Sequence, residues 1–213
     1  MNHLLERSFD EKNTQICLQT ILLINIILTS LPEFVFDNID TAIAFICDKG
    51  VESKIGLATN TSYELLCRHK SADLHDTVGL LATQQSFQNK VGLNSPKQII
   101  LRISLLHRAT LEFESICAER LTDIKKAEYP LFEVQEMLKH SLQHADREVR
   151  QQSQLVLQLI YDKHGGFAAV EAIAMQLHPQ ILQTIKPKIP EVEKVILFLM
   201  KSKRQNNSSV YGS

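Results

Sequence analysis

The chain carries a helical pattern that recurs at an interval of about 40–50 residues, and this recurrence constrains the fold more than any other feature. Four polar or acidic residues stand at equivalent points of the pattern, at intervals of 42, 42 and 52 residues: Asp10, Glu52, Asn94 and Asp146. Each can cap or begin a helix, because a side-chain oxygen accepts from the backbone N–H groups that a first helical turn leaves unpaired. The sequence therefore predicts four helices in one common register.

Three positions of this register carry similar side chains in the four copies. Seven residues on, the side chains are mostly small: Cys17, Thr59, Leu101 and Ser153. Eleven residues on, they are large and mostly apolar: Ile21, Tyr63, Leu105 and Leu157. Fourteen residues on, three of four are apolar: Ile24, Leu66, Arg108 and Ile160. Spacings of three, four and seven residues place such positions on one face of a helix, which predicts a buried face with close helix approach at the small position.

The last copy has the clearest helix boundaries. Asp146 is the expected N-cap, and Glu148 adds negative charge near the positive end of the helix dipole. Gly165 and Gly166 can adopt the left-handed conformation that ends a helix. The segment from His144 to Gly165 is therefore predicted to be one complete helix.

A second amphipathic segment precedes each of the last three register helices, at Glu33–Asp48, Asp73–Ser86 and Leu131–Gln143. Helix pairs at this interval are typical of HEAT repeats, so we predict an all-α fold, a HEAT-repeat α-solenoid of about four antiparallel helix pairs. The longer last interval predicts an extended linker over Ile116–Pro130. Residues 1–200 are predicted to form a single domain, and Lys201–Ser213 a polar, flexible tail.

The end of this domain contains shorter elements. A helix is expected from Phe167, a break at His178-Pro179, and a last apolar helix over Val192–Met200. These boundaries rest on Gly and Pro punctuation between apolar runs.

Composition excludes several classes of protein. A net charge of −1 argues against a protein that binds nucleic acid with its whole surface. The most apolar run, Ile16–Leu28, is too short to cross a membrane, and acidic Asp10 and Glu11 before it argue against a signal peptide. We expect a buried helix there. Because a terminal helix of an array should be polar outside, its apolarity suggests that a partner, a second copy or upstream sequence covers it. Four cysteines without a Cys-x-x-Cys pair indicate a reducing, cytoplasmic compartment.

The sequence contains no set of residues arranged for catalysis. The best metal candidate is a stripe at four-residue spacing, Glu136, His140 and His144, which lacks an obvious fourth ligand. A solvated polar face explains it more simply. We therefore predict a protein that is not an enzyme and has no cofactor or metal.

The remaining kind of function is recognition of another molecule by the protein surface. The short turns within successive helix pairs carry cations and few acids, and in a stack of helix pairs these turns share one edge. The candidate binding residues are Lys49, Lys54, Lys90, Lys97 and Arg147. A row of cations attracts an acidic protein surface, although any single lysine also serves solubility.

Three stretches resemble a known family. The closing run YPLFEVQEMLKHSLQHADREVRQQSQLVLQLIYDKHG is similar to the last repeats of TOG domains, particularly those of centrosomal and ciliary-tip proteins. The stretch GLNSPKQIILRISLLHRATLEF resembles the preceding repeat, and KNTQICLQTILLINIIL an earlier one. The resemblance implies a cytoskeletal domain at the centrosome, centriole or cilium that grips αβ-tubulin or microtubules through the turn residues named above. It implies no nucleic acid and no membrane as partners, and leaves room for other centriole or cilium proteins.

The chain departs from the TOG pattern in one respect. TOG domains usually open with a repeat that carries a tryptophan in its first turn, and this chain has no tryptophan. Arg150, one turn inside its helix, is expected to pair with a neighbouring acid. The alternative hypothesis is a HEAT-repeat adapter that binds another protein or an amphipathic helix without tubulin.

Overall fold

The computed structural model describes residues 12–31, 39–52, 54–69, 74–83, 95–120 and 129–210. These residues form ten α-helices and no strand, which confirms the all-α prediction, while the solenoid arrangement stays a prediction. The helices are α1 Thr14–Ser30, α2 Ile39–Lys49, α3 Gly56–Arg68, α4 Leu74–Ala82, α5 Pro96–Arg120, α6 Leu131–Ser141, α7 Arg147–Lys163, α8 Gly166–Ala174, α9 Pro179–Ile185 and α10 Val192–Val210. None of these helices combines the length and the hydropathy that crossing a membrane requires.

The chain divides into two compact units, Met1–Val134 and Gln135–Ser213. In unit 1, α1 packs on α3 and α3 packs on α5, which gives one layer of three register helices. In a second layer α2 packs on α4, and each of these two helices also packs on the register helix that follows it. Register helices thus contact one another and their partner helices, and the arrangement of these pairs as a HEAT solenoid stays a prediction.

The register positions are buried as expected. The side chains eleven residues into the register have at most 3% exposure in all four copies: Ile21, Tyr63, Leu105 and Leu157. The small position is equally closed at Cys17, Thr59 and Ser153. The one non-apolar member of the third column, Arg108, is partly exposed and pairs with Glu64 of α3 and, at 3.9 Å, with Glu112 of its own helix. Arg68 of α3 pairs with the same Glu112 at 3.0 Å. Arg108 therefore lies at the surface of the α3–α5 contact, where nearby carboxylates balance its charge.

The helix starts follow the register less closely than the buried columns do. Asp146 is the N-cap of α7, as predicted. Helix α3 begins at Gly56, four residues after Glu52. Asn13 caps α1, and Ser95 accepts from the amide of Gln98 at the start of α5. The predicted starts Asp10 and Asn94 lie outside the described residues.

Two predicted boundaries need correction. The predicted linker Ile116–Pro130 begins inside α5, which continues to Arg120, and Ile116 is 3% exposed. Its apolar side chain continues the buried face of α5, and burial of that side chain favours continuation of the helix. At its far end Tyr129 stacks edge-on against Phe113, with ring centroids 5.2 Å apart. Helix α10 extends to Val210, past the predicted tail boundary at Lys201. The prediction of a single domain over 1–200 remains a prediction.

The core of unit 1 contains a charged residue that periodicity did not indicate. Arg102 of α5 is fully buried and lies beside the thiol of Cys47 of α2. Burial raises the pKa of the Cys47 thiol, and the neighbouring guanidinium offsets part of this rise. The thiol therefore stays protonated and unreactive in the folded protein.

Unit 2 begins at Gln135 within α6 and contains α7 and the three helices that follow it. Helix α7 has His164 as its C-cap, and Gly165, in a left-handed conformation with φ +117°, precedes α8, which packs on α7. His178 caps α9, whose first residue is Pro179, so the predicted break at this dipeptide is confirmed. Helices α8 and α9 both pack on α10. The unit is thus a compact helical body in its own right.

Candidate functional site

The turn between α2 and α3 is held by a glycine that leaves no room for a side chain. A Cβ added at Gly50 would stand 2.7 Å from the Ile46 carbonyl oxygen, 2.7 Å from Thr59 Oγ1 and 2.8 Å from Leu101 Cδ2. Three helices therefore approach this one backbone position. The close approach fixes where the turn leaves the core.

Beyond the glycine, the turn contains a buried residue directly next to an exposed one. Ile55 is fully buried, and its amide donates to the Glu52 carbonyl at 2.9 Å. Lys54, immediately before this anchor, is exposed. The buried neighbour holds the backbone in place, so the lysine side chain is presented to solvent from a fixed position.

The start of α5 joins the same turn through a hydrogen-bonded chain. Ser95 Oγ donates to Gln98 Oε1 at 2.9 Å and accepts from the Gln98 amide at 3.3 Å, which satisfies one of the unpaired amides of the first turn. Gln98 Nε2 in turn donates to Asp48 Oδ1 at 3.2 Å. The first turn of α5, including exposed Lys97, is therefore tied to the end of α2.

The start of α1 meets this turn as well. Thr14 Oγ1 donates to Glu52 Oε2 at 2.8 Å. Thr14 and Gln98 both stand four residues into the register, and both donate to a carboxylate near the α2–α3 turn. The repeat thus brings three chain segments together at one end of unit 1, and we call the exposed residues there the turn edge: Lys12, Lys54 and Lys97.

The five predicted binding residues differ in how available their charges are. Lys54, Lys97 and Arg147 are exposed. The Lys49 side chain is only 13% exposed, and its ammonium lies 3.3 Å from the Asp48 carboxylate, so its charge is locally matched. Lys90 lies outside the described residues. Lys49 is therefore the weakest candidate among those that the structure describes.

One candidate was missed at the sequence level. Lys12 is exposed and directly precedes Asn13, which caps α1. It stands two residues into the register, as Lys54 does in the next copy. The register itself contained this signal, since equivalent positions of a repeat are expected to share an edge.

In unit 2, Arg147 occupies the first residue of α7, where the turn from α6 is closed by several hydrogen bonds. Asp146 Oδ1 accepts from the amides of Glu148 at 2.7 Å and Val149 at 3.2 Å. His144 Nδ1 accepts from the Asp146 amide at 3.0 Å. Val149 is fully buried. As with Lys54 and Ile55, an exposed cation stands close to a buried anchor.

Arg150 has a different partner from the one predicted. Its Nη1 donates to the carbonyl oxygens of His144 and Ala145, each at 2.6 Å. The expectation that it pairs with a neighbouring acid is therefore wrong. The carbonyls of the turn have no helical N–H to accept from, and the guanidinium supplies the donor instead.

The stripe considered as a metal candidate has other contacts. Glu136 lies 3.5 Å from the ammonium of Lys139, and His144 Nδ1 is engaged by the Asp146 amide. Within the described part of the chain, no three His, Cys, Asp or Glu side chains are grouped so that they could hold a metal ion.

The turn edge presents positively charged side chains on turns that are held in place by hydrogen bonds. Exposed ammonium groups on short, tied turns attract carboxylates on a partner without large losses of backbone entropy. No family model matches the chain, and neither the curated proteins nor the solved structures contain a match.

Proposed function

We propose that the chain is a TOG-like HEAT-repeat domain that binds αβ-tubulin or microtubules at centrioles or cilia and performs no chemistry. The observation that carries this proposal is the turn edge of unit 1, where Lys54 and Lys97 are exposed and the start of α5 is tied to the end of α2 by the Gln98–Asp48 hydrogen bond. In unit 2, exposed Arg147 is the first residue of α7. Support also comes from the buried register columns, which a stack of HEAT units requires.

Each of these cations is expected to act at the rim of an interface rather than as a buried anchor. Exposed charges mainly raise the association rate, and a single loss costs on the order of 1 kcal/mol or less. Binding should therefore weaken as salt screens the attraction. Several simultaneous reversals are needed for a large effect.

The test reverses three cations together, as Lys54→Glu, Lys97→Glu and Arg147→Glu. We expect the variant to lose co-sedimentation with microtubules and co-elution with αβ-tubulin, while circular dichroism and the thermal melt stay unchanged. A matched control carries Lys163→Glu, Lys194→Glu and Lys201→Glu, three exposed cations away from the predicted turns with the same change in net charge. Lys163 stands at the other end of α7 from Arg147, about 24 Å along the helix axis.

The two variants separate specific from general electrostatics. Loss of binding in both would indicate attraction by overall charge rather than by the turn edge. Unchanged binding of the first variant at moderate salt would contradict the turn-edge mechanism. The HEAT adapter that binds another protein would then be the better hypothesis.

A further inference from the structure

The outer face of α1 is an uncharged apolar stripe. Helix α1 contains no charged residue along its 17 residues. Its buried face packs on α3, and the opposite face exposes four large apolar side chains by 39–60%: Ile16, Leu22, Leu23 and Ile26. Scattered exposed apolar residues are ordinary, but a contiguous group on one helix face marks an interaction surface.

Three of these residues, together with polar Gln19, have the spacing of a coiled-coil seam. Ile16, Gln19, Leu23 and Ile26 follow one another at intervals of three, four and three residues. Sequences with this alternation pack one helix against another, with each side chain inserted between four residues of the facing helix. We call these four residues the α1 stripe.

The surface already has the recess that such packing needs. An open recess on α1 is lined by Gln15, Ile16, Gln19, Thr20 and Leu23. Four of these stand at positions i, i+3, i+4 and i+7, which is the set that receives one inserted side chain in knobs-into-holes packing. A helix is therefore the partner element that fits this face.

The absence of charge on α1 indicates which kind of helix packs against the α1 stripe. Partners of such seams are chosen largely through charged residues that flank the stripe, and here the flanking residues are Gln15, Thr20, Leu22 and Ile27. They offer nothing to attract a partner of either sign. A second copy of the same helix meets no like-charge repulsion, which is what opposes self-pairing of most surface helices.

The stripe is also complementary to itself in one orientation. When two copies of α1 run antiparallel about a two-fold axis near Ile21, Ile16 of one copy faces Ile26 of the second copy. In the same register Gln19 faces Leu23 of the second copy. The four residues thus form a closed set of layers, as an isologous contact requires.

We propose that two copies of this chain associate through an antiparallel contact between their α1 stripes. A contact of one short helix lies at the small end of protein interfaces, so the dimer dissociates on dilution. The contact involves none of the turn-edge cations and needs no tubulin.

The first experiment measures the mass of the full chain by analytical ultracentrifugation over a range of micromolar concentrations without tubulin. We expect a monomer–dimer equilibrium that Leu23→Glu weakens at least about tenfold. The matched control is Leu57→Glu on α3, the same substitution at a side chain that is 82% exposed. Because both positions are exposed, far-UV circular dichroism should show both variants folded. A wild-type chain that stays monomeric, or equal weakening by the two variants, overturns the proposal.

A second experiment tests the orientation by disulfide formation in a Cys117→Ser background, since Cys117 is the only partly exposed thiol among the four cysteines. We expect a mixture of Ile16→Cys and Ile26→Cys proteins to form a cross-linked dimer under mild oxidation. Each variant alone should not, because equal positions then lie about 15 Å apart, far beyond the reach of a disulfide. Cross-linking of Ile16→Cys with itself would indicate parallel helices and overturn the antiparallel contact.

Discussion

Helices α1 and α7 have the same length and the same register, yet they present different surfaces to solvent. Each has 17 residues, and the inner positions Ile24 of α1 and Ile160 of α7 are both fully buried. On the outer face, Ile16 and Ile26 of α1 correspond to Gln152 and Asp162 of α7, whereas Gln19 and Leu23 correspond to Leu155 and Leu159. The two helices thus share the face that packs and differ in the face that does not.

The difference separates two kinds of information in a repeat. The inner face must fit the neighbouring helix in every copy, so it repeats and indicates the fold. The outer face meets a neighbour only if something covers it, so it varies and indicates partners. The outer face of α7 carries polar Gln152 and Asp162 besides exposed Leu155, which suits solvent better than the uncharged outer face of α1 does.

The largest expected effect tests whether the inner faces are equivalent. Ile24→Ala and Ile160→Ala should each lower the free energy of unfolding by about 2–5 kcal/mol, because each removes a fully buried branched side chain and leaves a cavity. Urea unfolding followed by circular dichroism measures both. A loss below about 1 kcal/mol at either position would mean that the two helices are not packed alike.

The next effect concerns the C-terminal end of α7. The C-caps of the two helices are alike, with φ −120° at His164 of α7 and φ −127° at Leu31 of α1, and in α7 the cap is followed by Gly165 with φ +117°. Gly165→Ala should cost about 1–2 kcal/mol through backbone strain alone, since the nearest atom to an added Cβ is 3.4 Å away. Gly166→Ala, at φ +62°, is the control with a smaller expected loss. Equal losses at both positions would contradict strain at Gly165 as the cause.

A smaller effect is expected at the N-caps. Asp146 accepts from two backbone amides at the start of α7, and Asn13 accepts from one at the start of α1. Asp146→Ala should therefore cost about 1 kcal/mol and Asn13→Ala less. Thermal melts of the two variants check the order, and a larger loss for Asn13→Ala would reverse the comparison.

The smallest effect on stability should come from exchanging outer residues between the helices. Ile16→Gln and Gln152→Ile should each change the unfolding free energy by less than about 0.5 kcal/mol, because neither side chain is in the core. Ile16→Gln should nevertheless weaken self-association, as measured by sedimentation. A large loss of stability instead would show that the outer face of α1 is packed within the monomer.

Sequence reasoning predicted the buried columns because burial at a fixed period is a local property of the chain. It predicted Asp146 as a cap for the same reason, since a carboxylate three residues before a buried valine is a local signal. The longer repeat interval predicts a linker from Ile116, whereas α5 continues to Arg120. Ile116 is buried in the structure, and the length of a repeat interval contains no information on that burial.

Other features depend on contacts between distant residues. The buried position of Arg102 beside Cys47 joins residues 55 apart in sequence, and no periodicity requires it. The low exposure of Lys49 likewise follows from the ordered end of α2, where Gln98 of α5 also reaches Asp48. Of the candidate site, the exposed cations could be predicted, but which of them is already matched by a carboxylate could not.

All four cysteines lie in unit 1, and unit 2 has none. Cys17, Cys47 and Cys67 belong to three successive helices and are at most 2% exposed. A thiol reagent can reach them only when these helices separate from one another, so the rate of labelling under native conditions measures the opening of unit 1. The backbone signal of circular dichroism follows both units at once. The three buried thiols therefore report on the opening of unit 1 alone, without any engineered label. Comparing the labelling rate with the loss of the circular dichroism signal shows whether the two units unfold together or one after the other.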